Sequence, residues 1–468
     1  MLLISRDSGK QIYLQIYEYY RDRILSGQAQ AHSSLPSTRH LARELSVSRN
    51  TVETAYQQLL AEGYLYSRPG SGYYISQVER LSPPTPKISF HAADDVAEED
   101  RISVPGIKYN FQYGRLSPES FPLKTWKRIA NKILLDVDPN RITAYTSRTG
   151  DPLLKEEITK YLYESRNVAC EADRIVLCSG LLTVISLLCQ LFMGKFSTVA
   201  VEDPCYDTVR HIFQNHGYKV FPIPLRPDGL DIDALRGSGA RLIYITPSHQ
   251  FPSGTVMSAS KRIKLLQWAQ EQDGYIIEDD YDSEYRYNSK PLPSLHSLDN
   301  RERVIYINTF SKSLAPMLRL GYMVLPPALK ELYDFKFANY GCTVPLLTQL
   351  VLAEFMAAGH WQRHLRRIAL SSKKIHDLLV NEIQNAMGSQ AEIQGNNAGL
   401  HFLLAVHNGM DEEQLIASAR QEGVLVYPVS QYFSAPPRKN NRVLIGFGGI
   451  EAQGIPESVQ LLKKAWFQ

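Results

Sequence analysis

Lys312 stands in the string Thr309-Phe310-Ser311-Lys312, directly after the apolar run Val304 to Asn308. A loop at the C-terminal end of a strand presents its side chains to a crevice, which places this lysine to meet a ligand. Thr309 and Ser311 bring hydroxyls, and Arg319 brings a planar fork suited to phosphate. Upstream, the run Tyr275 to Glu278 ends in Asp279-Asp280-Tyr281-Asp282. A lysine that condenses with an aldehyde, an acid that keeps a ring nitrogen protonated and a phosphate cup are together what pyridoxal 5'-phosphate requires. An aspartate of the acidic turn would pair with the ring nitrogen and Tyr281 with the ring hydroxyl; the alternative for this turn is a metal-binding or merely solvated cluster. The strand-end setting and the downstream Ser311-Lys312 favour the cofactor, and no metal is expected.

A second group of polar residues lies far upstream. Arg49, Asn50, Thr51 and Glu53 open a run in which Val52, Ala55, Tyr56 and Leu59 follow i, i+3, i+4, i+7 spacing. A helix-turn-helix sets the start of its second helix in the major groove, where such side chains meet base edges. Ser37, Thr38 and Arg39 begin the preceding helix, whose first amides suit a phosphate, and Arg68 with Pro69-Gly70-Ser71-Gly72 forms a wing beside them. The alternative is a small helical packing domain with solvated charges.

The elements that must position these residues are legible as periodicity. Ile12, Ile16, Tyr20 and Ile24 mark one face of a first helix. After Leu35-Pro36, Ser37 caps a second helix burying Leu41, Ala42 and Leu45, and Ser48 caps a third that ends at Gly63. Tyr64 to Ser67 and Tyr73 to Ile75 then read as a hairpin. Residues 1–76 thus form one domain and 77–107, with Ser82-Pro83-Pro84-Thr85-Pro86 and an acidic run, a linker. From residue 108 to 468, β-branched runs at Ile175 to Cys178, Val199 to Glu202, Leu242 to Thr246, Tyr275 to Glu278 and Val304 to Asn308 alternate with amphipathic stretches. That is an α/β domain on a mostly parallel sheet, with a smaller C-terminal part from about 349 that begins with a long helix around His360 to Leu379.

Composition fits this organisation. A chain of 468 residues exceeds one core, and 44% hydrophobic with 21% charged residues excludes a disordered or collagen-like chain. A net charge of +3 confines any nucleic-acid contact to a local patch. Cys170, Cys178, Cys189, Cys205 and Cys342 form no CxxC pair and point to reduced thiols in the cytoplasm. The N-terminus lacks a signal-peptide core, and Val184 to Met193 is too short to span a bilayer and reads as a buried helix.

The string LPSTRHLARELSVSRNTVETAYQQLLAEGYLYSRPGSGYYIS resembles the winged helix-turn-helix domain of the GntR family over Gln11 to Ser76. By that resemblance Ser37, Arg39, Arg49, Asn50, Thr51 and the wing glycine Gly72 form the region that contacts double-stranded operator DNA. The strings TPSHQFPSG, IIEDDYDSEYRY, NTFSKSLAPMLRLGYMVLPP and NAGLHF resemble fold-type I aminotransferases, and the whole chain is similar to the MocR subfamily of GntR regulators, with a GabR-like pattern. The resemblance implies that Lys312 carries the cofactor, Asp279 faces the ring nitrogen, Tyr281 lies near the ring hydroxyl and Tyr206 packs over the ring. It also implies a homodimer.

Some positions depart from that pattern. Leu181-Leu182 follow Gly180 where a small polar residue and glutamine are usual, leaving backbone amides to hold phosphate, and Met317 replaces a glycine before Arg319. Thr208 and Gln431 occupy positions where GabR-like proteins grip a γ-amino acid with arginines, which argues against that effector. Arg442 falls where aminotransferases keep an arginine for the substrate carboxylate; its alternative is a strand-edge surface arginine. The expectation is a cytoplasmic pyridoxal-phosphate-dependent transcription regulator sensing an amino acid or a vitamer, with at most vestigial transamination. The competing readings are a competent aminotransferase with an accessory DNA-binding domain, and a DNA-binding protein with an inert dimerisation scaffold.

Overall fold

In the computed structural model the chain divides into two units, Met1–Asp100 and Arg101–Gln468. The structure describes all residues except 1, 3, 6–8, 79–104, 146, 288–292 and 436–439. Most of the expected linker therefore lies outside the described residues.

The first unit contains helices α1 (Ile12–Leu25), α2 (Thr38–Glu44) and α3 (Arg49–Ala61), then strands β1 (Leu65–Arg68) and β2 (Gly72–Ile75). Ser37 and Ser48 begin α2 and α3 because each hydroxyl accepts an amide of the first turn, from His40 and Thr51 respectively. The apolar stripe of α3 closes the core: Val52, Ala55, Tyr56 and Leu59 are fully buried against Ile16, Leu41 and Ile75. The Tyr56 hydroxyl donates to the Pro36 carbonyl at 3.1 Å and pins the entry to α2. The wing is an antiparallel pair running from Leu65 opposite Ile75 to Arg68 opposite Gly72. Gly70 and Gly72 have φ of +72° and +100°, a region open to glycine, which is why the turn takes glycines.

The second unit is built on an eight-stranded sheet in the order Ile175–Cys178, Gly321–Val324, Val304–Thr309, Tyr275–Asp279, Leu242–Ile245, Thr198–Asp203, Lys219–Arg226, Gly229–Leu230. The strands from Val304–Thr309 through Lys219–Arg226 are all paired parallel, and Gly321–Val324 runs against both its neighbours. Alternate residues face opposite cores. Val199 and Val201 pack with Leu188 and Phe192 of the helix Leu181–Phe192, whereas Ala200 packs with Leu265 and Trp268 on the other side. Helices thus cover both faces of a sheet whose strands are nearly continuous apolar runs.

The C-terminal part has an antiparallel sheet in the order Ala391–Gln394, His401–Val406, Arg442–Gly446, Tyr427–Pro428. It packs against the helix His360–Met387, which runs two turns past the expected end near Leu379, and against Ile455–Phe467. Tyr109–Asn110 pairs parallel with Val424–Leu425, stitching the start of this unit to its C-terminal part. Among the described residues no helix is long and apolar enough to cross a membrane.

Candidate functional site

A cavity of about 830 Å³ opens at the carboxyl ends of the parallel strands, the end at which open α/β sheets bind ligands. Lys312, Asp279, Tyr281, Tyr206, Thr309, Ser311 and Arg319 all line it. Strand geometry explains the convergence: Asp279 and Thr309 are the last residues of adjacent parallel strands. Lys312 lies in a one-turn helix, Phe310–Ser313, rather than in the expected loop, and its carbonyl accepts the Tyr285 hydroxyl at 2.7 Å.

The Lys312 ammonium is held by burial and an aromatic face. Its Nζ sits 4.2 Å from the centroid of Tyr113, within cation–π range, and an added Cβ on Gly114 would come 2.6 Å from it. Burial lowers its pKa to about 8, opposed by the nearby Asp282 charge. A substantial neutral fraction near pH 8 is what an amine needs to attack an aldehyde.

Asp279 is fully buried. Its Oδ2 accepts the Tyr244 hydroxyl at 2.5 Å, while Oδ1 has no partner among the described residues. Burial pushes its pKa up to about 7, opposed by the Tyr244 bond and reinforced by Asp280 and Asp282. A buried oxygen without a donor calls for one, and a protonated ring nitrogen supplies it with charge. Neighbouring Asp280 is committed elsewhere: it receives Arg166 at 2.6 and 2.8 Å and Tyr306 at 2.6 Å, which keeps it ionised. The acidic turn therefore resolves into one cavity-facing carboxylate, Asp279, and two structural ones, Asp280 on Arg166 and Asp282 on His249.

The Tyr281 hydroxyl donates to the His249 carbonyl at 3.0 Å, and His249 Nδ1 lies 2.7 Å from Asp282 Oδ2, which fixes that ring. Tyr206 stands edge-on to Phe251, centroids 5.6 Å apart. At the other end, Gly180 (φ +78°) opens the helix Leu181–Phe192 without a side-chain cap, so its first amides are free for an anion. Ser179 is turned away, donating its hydroxyl to Thr343 O at 2.6 Å. A Cβ on Gly180 would approach the Arg319 guanidinium to 3.3 Å, so that fork lies over the helix start. Met317 is 70% exposed in the turn Pro316–Leu318, and Arg319 itself takes φ +46°, a left-handed conformation that costs a non-glycine residue about 1 kcal/mol or more. Helix amides and Arg319 together fit a phosphate cup without the usual polar side chains.

In the first unit, Ser37, Arg39, Arg49, Asn50 and Gly72 are exposed and Thr51 is half-buried. The Thr51 hydroxyl is 2.7 Å from Ser48 Oγ, so it reinforces the cap, and Arg49 Nε is 3.7 Å from Glu53. Arg68 lies over the rings of Tyr66 and Tyr74 at 5.5 and 4.9 Å, which stiffens the wing.

Residues 12–75 match the family of bacterial regulatory proteins, gntR family, and residues 110–446 match aminotransferase class I and II. The probable rhizopine catabolism regulatory protein MocR of Rhizobium meliloti is 32% identical over the whole chain and 96% of its own length. This chain belongs to the MocR-type regulators of the GntR family. An uncharacterized HTH-type transcriptional regulator of Bacillus subtilis, YdeL, is 38% identical over 99% of this chain and 98% of its own. A multiple substrate aminotransferase of Thermococcus profundus shares the fold, with a TM-score of 0.71 and 24% identity over 81% of this chain and 95% of its own.

One expected residue of this MocR-type chain is not brought to the cavity. Arg442 opens the strand Arg442–Gly446 opposite Ala405, four residues before Gly446, the residue that meets the cavity wall at Tyr113. At the rise of a strand that separation is about 13 Å. Leu444, two residues along on the same face, packs with Phe251, Tyr281 and Tyr432 instead. Sequence reasoning also passed over Tyr113, Gly114, Arg115 and Tyr244, all in the cavity wall. Only Tyr244, one residue from the end of an apolar run pointing at the same crevice, carried a local signal.

Proposed function

We propose that this chain is a pyridoxal-phosphate-dependent transcription regulator whose first unit reads duplex DNA and whose second unit holds the cofactor on Lys312 and senses an amino-group ligand. The observation that carries the reading is the partnerless Asp279 Oδ1 in the same cavity as the buried, weakly basic Lys312. Bound there, pyridoxal phosphate supplies an aldehyde that captures amines and a ring that spreads negative charge. Lys312 offers the attacking amine, Asp279 the counter-charge for the ring nitrogen, Tyr281 a phenol for the ring hydroxyl, and Arg319 with the helix start at Leu181 the phosphate grip. Arg39, Arg49, Asn50 and the wing residue Gly72, all exposed, would meet phosphates and base edges.

Exposed Leu135, Tyr145 and Phe335, at 85, 104 and 82%, favour burial against a second copy, and two readers then require two half-sites at fixed spacing. The aminotransferase alternative is weakened at Thr208, Gln431 and Leu444, which leave a substrate less firmly oriented. The test is operator binding by the full chain with and without pyridoxal phosphate, followed by a panel of amino acids. The expected result is a visible absorption band on Lys312 and DNA affinity that shifts with an amine ligand. A chain that binds operator but never acquires the band refutes the cofactor half of the reading.

A further inference from the structure

Among the described residues four charged ones line the cavity, Asp279, Lys312, Arg319 and Arg115, and Arg115 also borders a smaller neighbouring cavity with Lys108, Asn110 and Glu451. The first three are assigned to the cofactor in the reading above, on which this inference rests. Arg115 is not. It makes no ion pair or side-chain hydrogen bond among the described residues, whereas Arg210 is held by the Tyr432 and Gln431 carbonyls and Arg166 by Asp280. It follows Gly114, whose α-carbon sits against Lys312 Nζ, so its backbone starts one residue from the reacting amine.

That backbone is rigidly placed. Gly446 N donates to the Phe111 carbonyl at 2.9 Å and Ser117 N to the Gly448 carbonyl at 2.8 Å, clamping the segment between them. The clamp is possible because Gly446, Gly448 and Gly449 lack side chains. A Cβ at these positions would come within 2.6 Å of Tyr113 Cα, 2.6 Å of the Arg115 carbonyl and 2.9 Å of Arg115 Cβ. The close approach of Gly446, Gly448 and Gly449 therefore fixes the backbone from Tyr113 to Arg115 beside the cavity.

We infer that Arg115 receives the carboxylate of the effector, and that the effector is an amino acid with an uncharged, largely apolar side chain. The charge inventory decides the class. With Lys312 and Arg319 engaged, one guanidinium remains for one carboxylate, so a dicarboxylic acid lacks a second partner. With Asp279 engaged, no acidic residue of the wall remains for a second ammonium, which disfavours diamines. The remaining wall at Leu116, Phe121, Leu181, Leu182 and Met317 suits a hydrocarbon side chain.

The experiment loads the full chain with pyridoxal phosphate and titrates it with L-leucine, 3-methylbutylamine and L-glutamate, following the visible absorption. Wild type is expected to bind leucine about ten- to a hundredfold more tightly than the amine that lacks only the carboxylate, the range for a charge-assisted bond. Arg115→Gln should bind the two alike while keeping its band, and Arg115→Lys should recover part of the preference. Equal binding by wild type, or a preference that survives in Arg115→Gln, overturns the assignment of Arg115. Glutamate binding more tightly than leucine overturns the ligand class. Absence of any band in wild type overturns the proposed function itself and is distinguishable from all of these.

Discussion

Replacing Asp279 with asparagine should move stability and cofactor affinity in opposite directions. Without cofactor, the buried carboxyl has its pKa raised from 3.8 to about 7 by desolvation. A carboxyl raised in the folded state contributes stability fully below its unfolded value, and that contribution is lost as pH climbs through about 7. Ionising it at pH 8 therefore costs the fold up to about 4 kcal/mol, one pKa unit being about 1.4 kcal/mol. Asparagine carries no charge, and its carbonyl oxygen still accepts the Tyr244 hydroxyl, so the cofactor-free variant should melt a few degrees higher than wild type at pH 8. At pH 5, where Asp279 is protonated in the folded chain, the gain should be much smaller.

Cofactor binding should suffer. The asparagine amide nitrogen would occupy the place of Oδ1, presenting donors to a protonated ring nitrogen that needs an acceptor. Losing a charge-assisted bond is worth about 1.5–3 kcal/mol, so the dissociation constant for pyridoxal phosphate should rise about ten- to a hundredfold. Differential scanning fluorimetry at the two pH values and absorbance titration with the cofactor measure both effects. A variant that melts lower than wild type at pH 8, or that binds pyridoxal phosphate as tightly, refutes the assignment of Oδ1 to the ring nitrogen.

Lys312→Ala should lose the visible band of the loaded protein with the fold intact by circular dichroism; a band that persists and is reducible by borohydride onto another lysine contradicts it. Gly114→Ala adds a methyl 2.6 Å from Lys312 Nζ at φ +92°, and strain of about 1–3 kcal/mol should weaken cofactor attachment tenfold or more in an absorbance titration. Arg49→Ala should cost about 1–3 kcal/mol of operator affinity by fluorescence anisotropy at physiological salt, with cofactor binding unchanged.

The reader unit was legible because its determinants are local. A serine cap and an i, i+3, i+4 stripe need no distant partner, and Ser37, Ser48, Val52 and Leu59 act as their spacing implies. Lys312, Asp279 and Tyr281 were legible for a related reason: each lies within three residues of the end of a recognisable strand, and parallel strands end together. Tyr113, Gly114 and Arg115 have no such marker. They precede Lys312 by roughly two hundred positions in an aperiodic segment, held at the cavity by distant contacts such as the approach of Gly446, Gly448 and Gly449 and the packing of Tyr113 on Phe251. Arg442 shows a different limit. Alternation along its strand predicts the face a side chain takes but not how far along the strand the cavity begins, and that distance gave the place to Leu444.

The distribution of kept and missing groups bears on turnover. Capturing an amine needs Lys312 and the groups that hold the ring, and these converge in one wall. Carrying a proton between carbon atoms needs the captured ligand held in one orientation, and small misplacement there costs about a hundredfold in rate. Thr208 supplies no cation to the cavity wall and neither Gln431 nor Leu444 lines it, so on the proposed assignment orientation rests on the single fork of Arg115. A site of this kind gains affinity for an amino acid without gaining much rate. For a regulator that is the useful combination, since a ligand shifts a conformational equilibrium only through its difference in affinity between the states, and only while it stays bound.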